Sequence, residues 1–176
     1  MKFLGISGSL RGASVNTALI EAGMKHIPGV DLEWGNLRLP LFDNDLEDSD
    51  GIPLEVQKLA DQIAEAPAVV ISTPEYNQSM SGVLKNALDW VSRVDGNPWE
   101  AKPVLIMAAA SGRSGGARAT YALRLAMTPF RPLLVPSPEV LLPKARSAFN
   151  EDGTLNDAPT DKRLKAAMEH LLETVS

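Results

Sequence analysis

The sequence predicts an α/β fold in which a parallel sheet lies between two layers of helices, and three observations lead to this prediction. Short apolar runs alternate with segments whose apolar residues recur at helical spacing along the chain. The run from Ala68 to Ser72 is almost entirely apolar, as expected for a strand buried on both faces of a parallel sheet. No break in composition and no internal repeat divides the chain. We therefore predict a single three-layer domain over residues 1–176.

Each element is predicted from its apolar pattern and from the residues that interrupt it. Pro28 and Gly29 end the first helix, whereas Pro53 opens the second helix in the position that proline favours. The fourth helix is expected to end before Pro129. Strands and helices are expected to alternate, with strands at 2–7, 30–34, 68–72, 103–109 and 133–135, and helices at about 15–27, 53–64, 81–94, 116–127 and 161–174.

Two stretches show no regular pattern. Residues 36–51 contain five acids between Asp43 and Asp50, which is typical of a solvated surface loop. The ligand spacing of a calcium-binding loop is missing from it. Residues 137–158 contain a turn signal at 150–153 and are expected to be irregular.

Composition excludes several classes of protein. The chain is 44% hydrophobic and 22% charged, with a net charge of −5 and no run of Lys or Arg, so nucleic-acid binding is not expected. Without cysteine there is no disulfide, thiolate metal site or cysteine nucleophile. His26 and His170 lie far apart on predicted helices, which argues against a metal site. No signal peptide and no apolar run of roughly 20 residues is present, so we predict a cytoplasmic protein without a membrane partner.

Three turns that leave strand carboxyl ends have an unusual composition. They cover residues 8–16, 74–81 and 110–116 and follow the first, third and fourth predicted strands. In a sheet of strand order 2-1-3-4-5 these three strands are neighbours, and ligands of such sheets bind outside the carboxyl ends of the strands. We therefore expect the three turns to converge on one pocket.

The first turn resembles an anion cradle, because a strand passes through glycines and hydroxyls into a helix N-terminus. Its glycines, Gly5, Gly8 and Gly12, lack the spacing of a dinucleotide-binding fingerprint, and the Gly-Lys-Ser/Thr of a triphosphate loop is missing. Strand one ends at Ser7 rather than at the carboxylate of a phosphoaspartate receiver. Hydroxyls and the planar fork of Arg11 then suit a single monophosphate.

The other two turns admit two interpretations each. Pro74, Tyr76 and Asn77 supply a fixed backbone, a flat face and an amide for a polar ring, but a simple capped helix start explains the same residues. The glycines of 111–116 let the backbone approach a ligand closely, although an ordinary strand–helix turn has the same composition.

Taken together, the three turns resemble the NADPH-dependent FMN reductase family, flavodoxin-like flavoproteins that include quinone, chromate and azo-dye reductases. The likeness runs from residue 1 to about 145. The matching motifs are Gly8-Ser9-Leu10-Arg11-Gly12-Ala13-Ser14-Val15-Asn16, then Pro74-Glu75-Tyr76-Asn77 with Ser81-Gly82-Val83-Leu84-Lys85-Asn86-Ala87-Leu88-Asp89-Trp90, then Ser111 with Gly115-Gly116-Ala117-Arg118.

The resemblance implies a three-layer flavodoxin-like fold with a five-stranded parallel sheet of order 2-1-3-4-5, and it implies FMN as the cofactor. Three groups of site residues follow from it. The FMN phosphate is expected at Ser9, Arg11, Ser14, Val15 and Asn16, the isoalloxazine beside Pro74, Glu75, Tyr76 and Asn77, and the other side of the flavin at Ser111 and Gly112. The role of Arg113 stays open.

The resemblance also implies the reaction. NADPH or NADH passes a hydride to bound FMN, and a quinone or a similar acceptor (flavin, chromate, azo or nitro compound) is then reduced, with the flavin carrying the chemistry. No catalytic acid or base side chain is nominated, because Glu75 is expected to point to solvent. The physiological acceptor and the preference between NADPH and NADH stay open.

The resemblance further suggests a homodimer or homotetramer, with Arg118, Tyr121 and Glu139 at a subunit contact, while a solvated helix face explains Arg118 equally well. The alternative function is a flavodoxin-type electron carrier without its own NAD(P)H turnover. Such carriers present an acidic face around the flavin, whereas Arg11 and Arg113 make this rim less acidic. This charge pattern favours the NAD(P)H-dependent reductase over the electron carrier.

Overall fold

The computed structural model describes residues 1–175 and contains a parallel sheet with helices on both faces. Each predicted strand and helix is present in the predicted order, and one further helix and one further strand occur. Their bounds are β1 (Lys2–Ser7), α1 (Val15–Met24), β2 (Asp31–Trp34), α2 (Asn44–Asp50), α3 (Leu54–Glu65), β3 (Val69–Thr73), α4 (Gly82–Val91), β4 (Pro103–Ala109), α5 (Ala117–Met127), β5 (Leu133–Leu134), β6 (Val140–Leu142) and α6 (Ala158–Thr174). Short 3-10 helices lie at Thr128–Phe130 and Ala145–Ser147.

The sheet has the predicted strand order, β2-β1-β3-β4-β5, and every pairing is parallel. The central pairs are in a register that ends β1, β3 and β4 at one edge, with Ser7 beside Ser72 and Thr73 beside Ala108. The carboxyl ends of these three strands are therefore adjacent, and the turns that follow them begin side by side.

A sixth strand, β6, was not predicted. It pairs with the end of β4 at Met107–Ala109, whereas the two-residue β5 pairs with the start of β4 at Pro103 and Val104. The prolines at 136 and 138 separate the two segments, because proline has no N–H to donate to a ladder. The edge position next to β4 is thus filled by two short strands, β5 and β6, of which only β5 was predicted.

Two hydrophobic clusters occupy the two faces of the sheet. On one face, α1 and α6 pack over alternate residues of β3 and β4, including Val70, Leu105 and Met107. On the other face, α3, α4 and α5 cover Val69, Ile71 and the rest of the second cluster. All five residues of β3 are buried, which explains why Val69, Val70 and Ile71 form an uninterrupted apolar run.

The acidic stretch contains a short helix, α2, where a loop was expected. The Asp43 side chain caps it by accepting a hydrogen bond from the Asp45 N–H at 3.0 Å, and Arg93 pairs with Glu47 at 2.9 Å. Acids in the first turn favour the helix dipole. The helix buries no residue, so it leaves no apolar periodicity by which the sequence would reveal it.

Within residues 1–175, no helix combines the length and the apolar character that a membrane span requires.

Candidate functional site

A cavity of about 560 Å³ lies at the carboxyl ends of β1, β3 and β4, and this volume is in the usual range of ligand pockets. The three predicted turns meet here. Ten of the eleven predicted site residues line the cavity, namely Ser9, Arg11, Ser14, Val15, Asn16, Pro74, Glu75, Tyr76, Ser111 and Gly112. The predicted convergence of the three turns is therefore present in the structure.

The loop after β1 is fixed by its own hydroxyl groups. The Ser14 side chain caps α1 by accepting hydrogen bonds from the N–H groups of Asn16 (3.2 Å) and Thr17 (3.3 Å). Thr17 in turn donates its hydroxyl to Ser7 at 3.0 Å. The Gly8 N–H continues the strand pairing to the Ser72 carbonyl at 2.8 Å. The loop is thus tied to both the helix and the sheet.

Asn16 has a structural role that the sequence did not indicate. Its side chain is buried, and its Oδ1 accepts from the Ser72 hydroxyl (2.8 Å) and the Ala109 N–H (3.0 Å). Its Nδ2 donates to the Ala109 carbonyl at 3.1 Å. One amide therefore joins α1 to the ends of β3 and β4, and only one Nδ2 hydrogen is left for any other acceptor.

An anion cradle remains open above this buried network. The backbone N–H groups of Gly12, Ala13, Ser14 and Val15 have no acceptor within residues 1–175. The exposed Arg11 guanidinium likewise has no hydrogen-bond or ion-pair partner among these described residues. Unpaired N–H groups at a helix N-terminus beside a free guanidinium make a site for a phosphate group.

The turn after β3 presents Tyr76 to solvent. Pro74 is buried, while Tyr76 is 52% exposed and exchanges two backbone hydrogen bonds with Ser79. Asn77 sits at the tip of this tight turn with a left-handed φ of 50° and is the one predicted residue that does not line the cavity.

Glu75 was predicted to point to solvent, and the structure shows that this prediction was wrong. Its side chain is only 14% exposed, and its Oε2 accepts from the Arg118 backbone N–H at 3.1 Å. The Arg118 guanidinium lies 3.4 Å from Oε1. Because Gly116, the residue before α5, has no side chain to cap the helix, the Glu75 carboxylate serves as a cap from another element. This ties the Tyr76 turn to α5.

The turn after β4 is exposed and is shaped by glycine. Ser111 and Gly112 are exposed, whereas Gly115 and Gly116 have φ values of 61° and 94° and are buried against the sheet. A Cβ on Gly116 would lie 2.6 Å from the Ala108 Cβ. Both the left-handed backbone and the close approach therefore require glycine here.

Five further residues line the cavity without having been predicted: Ala13, Ala109, Ala110, Ser114 and Arg146. Arg146 comes from the stretch after β6, which folds back because Ala110 and the 142–145 segment exchange backbone hydrogen bonds of 3.0 and 3.2 Å. No local pattern in the sequence signals this return. Arg146 is exposed and, like Arg11, has no ion-pair partner in the described part of the chain.

The three residues expected at a subunit contact lie on or near the surface. Tyr121 is 55% exposed on α5 and Glu139 is exposed before β6. Arg118 is exposed but is already paired with Glu75 of its own chain. A subunit contact at Arg118 would therefore have to form in addition to this ion pair.

The cavity fits a flavin mononucleotide by the chemistry of its walls. The N–H groups before α1 and the Arg11 guanidinium suit a phosphate monoester. Pro74 and Tyr76 on one side and Ala110–Gly112 on the other offer apolar surface and main-chain polar groups to a flat heterocycle. No group of three or more His, Cys, Asp or Glu that would bind a metal occurs within residues 1–175.

Comparison with known proteins identifies the family. The family model described as NADPH-dependent FMN reductase matches residues 1–147. The chain is 38% identical to the NAD(P)H-dependent FMN reductase of Pseudomonas aeruginosa over 173 residues, which cover 97% of this chain and 93% of that protein. It is 40% identical over 138 residues to the quinone reductase of Escherichia coli, covering 76% of this chain and 73% of that protein.

A solved structure supports the same assignment. The flavoenzyme NAD(P)H:(acceptor) oxidoreductase FerB of Paracoccus denitrificans superimposes with a TM-score of 0.87 at 29% identity, covering 99% of this chain and 96% of that chain. Family model, sequence relatives and fold agree with the resemblance carried by the three turns. The chain belongs to the NADPH-dependent FMN reductase family, and it is an oxidoreductase with FMN as cofactor and NAD(P)H as substrate.

Proposed function

We propose that this chain reduces quinones or similar two-electron acceptors at the expense of NAD(P)H, with FMN bound in the cavity of about 560 Å³. The observation that carries the proposal is the open anion cradle before α1 beside the exposed Tyr76 turn. A phosphate site next to a ring site is what a flavin mononucleotide needs, and neither a triphosphate nor a dinucleotide fits the first turn.

The phosphate is expected to bind the N–H groups from Gly12 to Val15 together with the Ser9 hydroxyl and Arg11. Ser14 donates its hydroxyl hydrogen to the phosphate while its oxygen caps α1. Asn16 acts mainly by supporting the loop from the protein interior rather than by contacting the phosphate, because three buried hydrogen bonds already occupy its amide. It fixes the loop in the shape that the phosphate requires.

The isoalloxazine is expected between the Pro74–Asn77 turn and the Ser111–Gly112 turn. Pro74 and Tyr76 provide its apolar contacts, and main-chain groups of both turns provide its polar contacts. Glu75 takes no part in proton transfer in this proposal, since its carboxylate is bonded to Arg118. It orients the ring-binding turn against α5.

FMN, when bound, supplies the two-electron chemistry, and the protein supplies binding and orientation. Ser111, Gly112 and Tyr76 are exposed, so the cavity is open to solvent on the side where a second planar molecule would enter. We propose that the nicotinamide and the acceptor use this side in turn. Ping-pong kinetics are then expected, and a pattern of intersecting lines in double-reciprocal plots would contradict the shared side.

We also propose that residues 1–176 act as one FMN-binding domain and that the protein is a homodimer or homotetramer. Tyr121 and Leu125 lie one helical turn apart on α5 and are 55% and 76% exposed, which is apolar surface suited to a second copy. Analytical ultracentrifugation of the wild type and of Leu125→Glu tests this. A monomeric wild type would contradict it.

FMN binding by Arg11→Ala provides the main test of the site. Loss of a charge-assisted contact to a phosphate is expected to weaken FMN binding about 10- to 100-fold. Arg93→Ala is the matched control, because Arg93 is an exposed arginine that pairs with Glu47 away from the cavity. Unchanged FMN affinity in Arg11→Ala would remove Arg11 from the phosphate site. A wild-type protein that binds no FMN would overturn the proposal.

A further inference from the structure

A second cavity adjoins the first and is bordered by basic residues. Its volume is about 570 Å³, and Ser114 lines both cavities. Its basic residues come from three separate segments: Arg113 from the turn after β4, Lys144 from the segment after β6, and Arg163 from α6. The remaining lining residues are Leu141, Leu142, Pro143, Ser147, Ala148, Asn156, Asp157 and Thr160.

The positive charge of this second cavity is not neutralised locally. Within residues 1–175, neither the Arg113 guanidinium nor the Lys144 ammonium has a hydrogen-bond or ion-pair partner, and the Arg163 guanidinium donates only to the Thr160 hydroxyl at 2.8 Å. The one acid in the lining is Asp157, whose Oδ2 accepts from the Thr160 N–H at 2.9 Å and caps α6. Three cations against one carboxylate leave a net charge of about +2 in a chain of net charge −5.

Asp157 forms no direct ion pair with the cations of this cavity. Hydrogen bonds from Thr160 lower the pKa of its carboxyl below the usual range, and the nearby Arg163 charge contributes less. Its main partner is therefore the Thr160 N–H in the first turn of α6, and Arg163 acts on it only through its charge at longer range, outside ion-pair distance. The guanidinium and the Lys144 ammonium stay available to an incoming anion.

The walls of the second cavity match a nucleotide rather than a small free anion. Leu141 and Pro143 are half-buried and provide apolar surface for a base, whereas Leu142 and Ala148 are buried beneath the lining. Lys144 lies in a left-handed conformation with φ of 49° and ψ of 36°, a conformation that non-glycine residues adopt only when the surrounding structure enforces it. The backbone of the 143–145 turn therefore fixes the direction in which the Lys144 side chain leaves the main chain.

We propose that this second cavity binds the 2′-phosphorylated adenosine end of NADPH and that the enzyme therefore prefers NADPH to NADH. The 2′-phosphate would lie among Lys144, Arg163 and Arg113, and the adenine would lie against the apolar wall. Because Ser114 lines both cavities, they lie side by side, and in this proposal a single dinucleotide spans them past Ser114. The inference rests on the proposed function, since it assumes that the nicotinamide end enters the first cavity.

Calorimetry on the FMN-loaded protein tests the site without turnover. The probes are adenosine 2′,5′-bisphosphate, 5′-AMP and inorganic phosphate. The bisphosphate is expected to bind at least tenfold tighter than 5′-AMP, because hydrogen bonds to charged groups are the stronger ones. Equal affinity for the two nucleotides would overturn the proposal, and binding of inorganic phosphate as tight as that of the bisphosphate would reassign the cavity to a free anion.

The double variant Lys144→Asn/Arg163→Gln tests whether the preference for the bisphosphate arises in the second cavity. Asparagine tolerates the left-handed backbone at 144 and glutamine suits a helix, so folding is expected to survive. Its preference for the bisphosphate over 5′-AMP should fall about tenfold or more. Lys162→Asn is the control, because Lys162 is exposed next to Arg163 on α6 and does not line the cavity. If the double variant unfolds, Lys144→Asn alone provides the same comparison.

Kinetics separate this inference from the proposed function. The ratio of the KM for NADH to the KM for NADPH is expected to exceed ten in the wild type and to fall about tenfold or more in the double variant. A wild-type ratio near one would overturn the nucleotide site while leaving the reductase intact. Failure of the proposed function has a different signature, namely no FMN retained and no turnover with either nucleotide.

Discussion

Two walls of the cavity proposed to bind FMN are built in different ways. In the loop from Gly8 to Asn16, side chains provide the bracing, and Ser14 and Asn16 are buried and hydrogen-bonded to the helix and the sheet. In the turn from Ala110 to Gly116, the backbone provides the bracing. The Ala110 N–H donates a hydrogen bond to the Leu142 carbonyl, and two glycines adopt the left-handed conformation. Residues 111–114 of this turn are exposed.

The difference separates a fixed part of the site from an adaptable one. The side-chain network exists before any ligand binds, so a phosphate meets donors that are already oriented, and little ordering is lost on binding. The exposed turn has few contacts that oppose a change of shape. In the function proposed above, the fixed wall would bind the FMN phosphate, and the exposed turn could adjust to different acceptors at the open side of the cavity.

Asn16→Ala should cause the largest loss of stability. It leaves the Ser72 hydroxyl and both backbone groups of Ala109 buried without a partner, and each unsatisfied group costs about 1–3 kcal/mol. We expect the free energy of unfolding of the FMN-free protein to fall by about 4 kcal/mol in urea titrations. Asn44→Ala, on the exposed α2, should change it little. Equal effects of the two substitutions would show that the buried amide does not brace the loop.

Gly116→Ala tests whether the backbone braces the opposite turn. A left-handed backbone costs a non-glycine residue about 1–2 kcal/mol, and the new Cβ would approach the Ala108 Cβ to 2.6 Å. We expect a loss of about 3 kcal/mol in the same measurement. Gly12→Ala is the control, because a Cβ there has no atom within 4 Å. A Gly116 variant as stable as the Gly12 variant would contradict this account of the turn.

Ser14→Ala removes the cap of α1 and is expected to cost about 1 kcal/mol. It should also weaken FMN binding, because the N–H groups of Asn16 and Thr17 lose their acceptor and the loop loses its shape. Urea unfolding and FMN titration measure the two effects separately. Ser14→Asp, which keeps a capping oxygen but adds a negative charge, should restore stability and not FMN affinity. Recovery of both would show that no phosphate lies beside residue 14.

The sequence predicted the parts of this molecule that depend on local patterns. The apolar run of β3 and the proline before α3 were correct, because burial on both faces and helix capping leave marks within a few residues. The strand order, which the family resemblance implied, was also correct. The meeting of the three turns was also predicted, since parallel strands end at one edge of the sheet. Most of the cavity lining followed from that single topological argument.

The features that were missed depend on contacts between distant residues. Asn16 was expected to bind phosphate, but 93 residues separate it from Ala109, to which its amide is bonded. Glu75 was expected in solvent, but α5 lacks a capping side chain and takes the carboxylate instead. Arg146 enters the cavity only because β6 extends the interrupted edge strand. Each of these partners is fixed by tertiary packing, which local periodicity does not record.

Ser111→Ala should have the smallest effect and completes the comparison with Ser14→Ala. Ser111 is exposed and its hydroxyl has no hydrogen bond within residues 1–175, so the free energy of unfolding should change by less than about 0.5 kcal/mol. The same chemical change thus costs about 1 kcal/mol in one wall and almost nothing in the other. A loss above about 1 kcal/mol at Ser111 would mean that side chains brace both walls. In that case the adaptability of the acceptor side would have to come from Tyr76 and its turn instead.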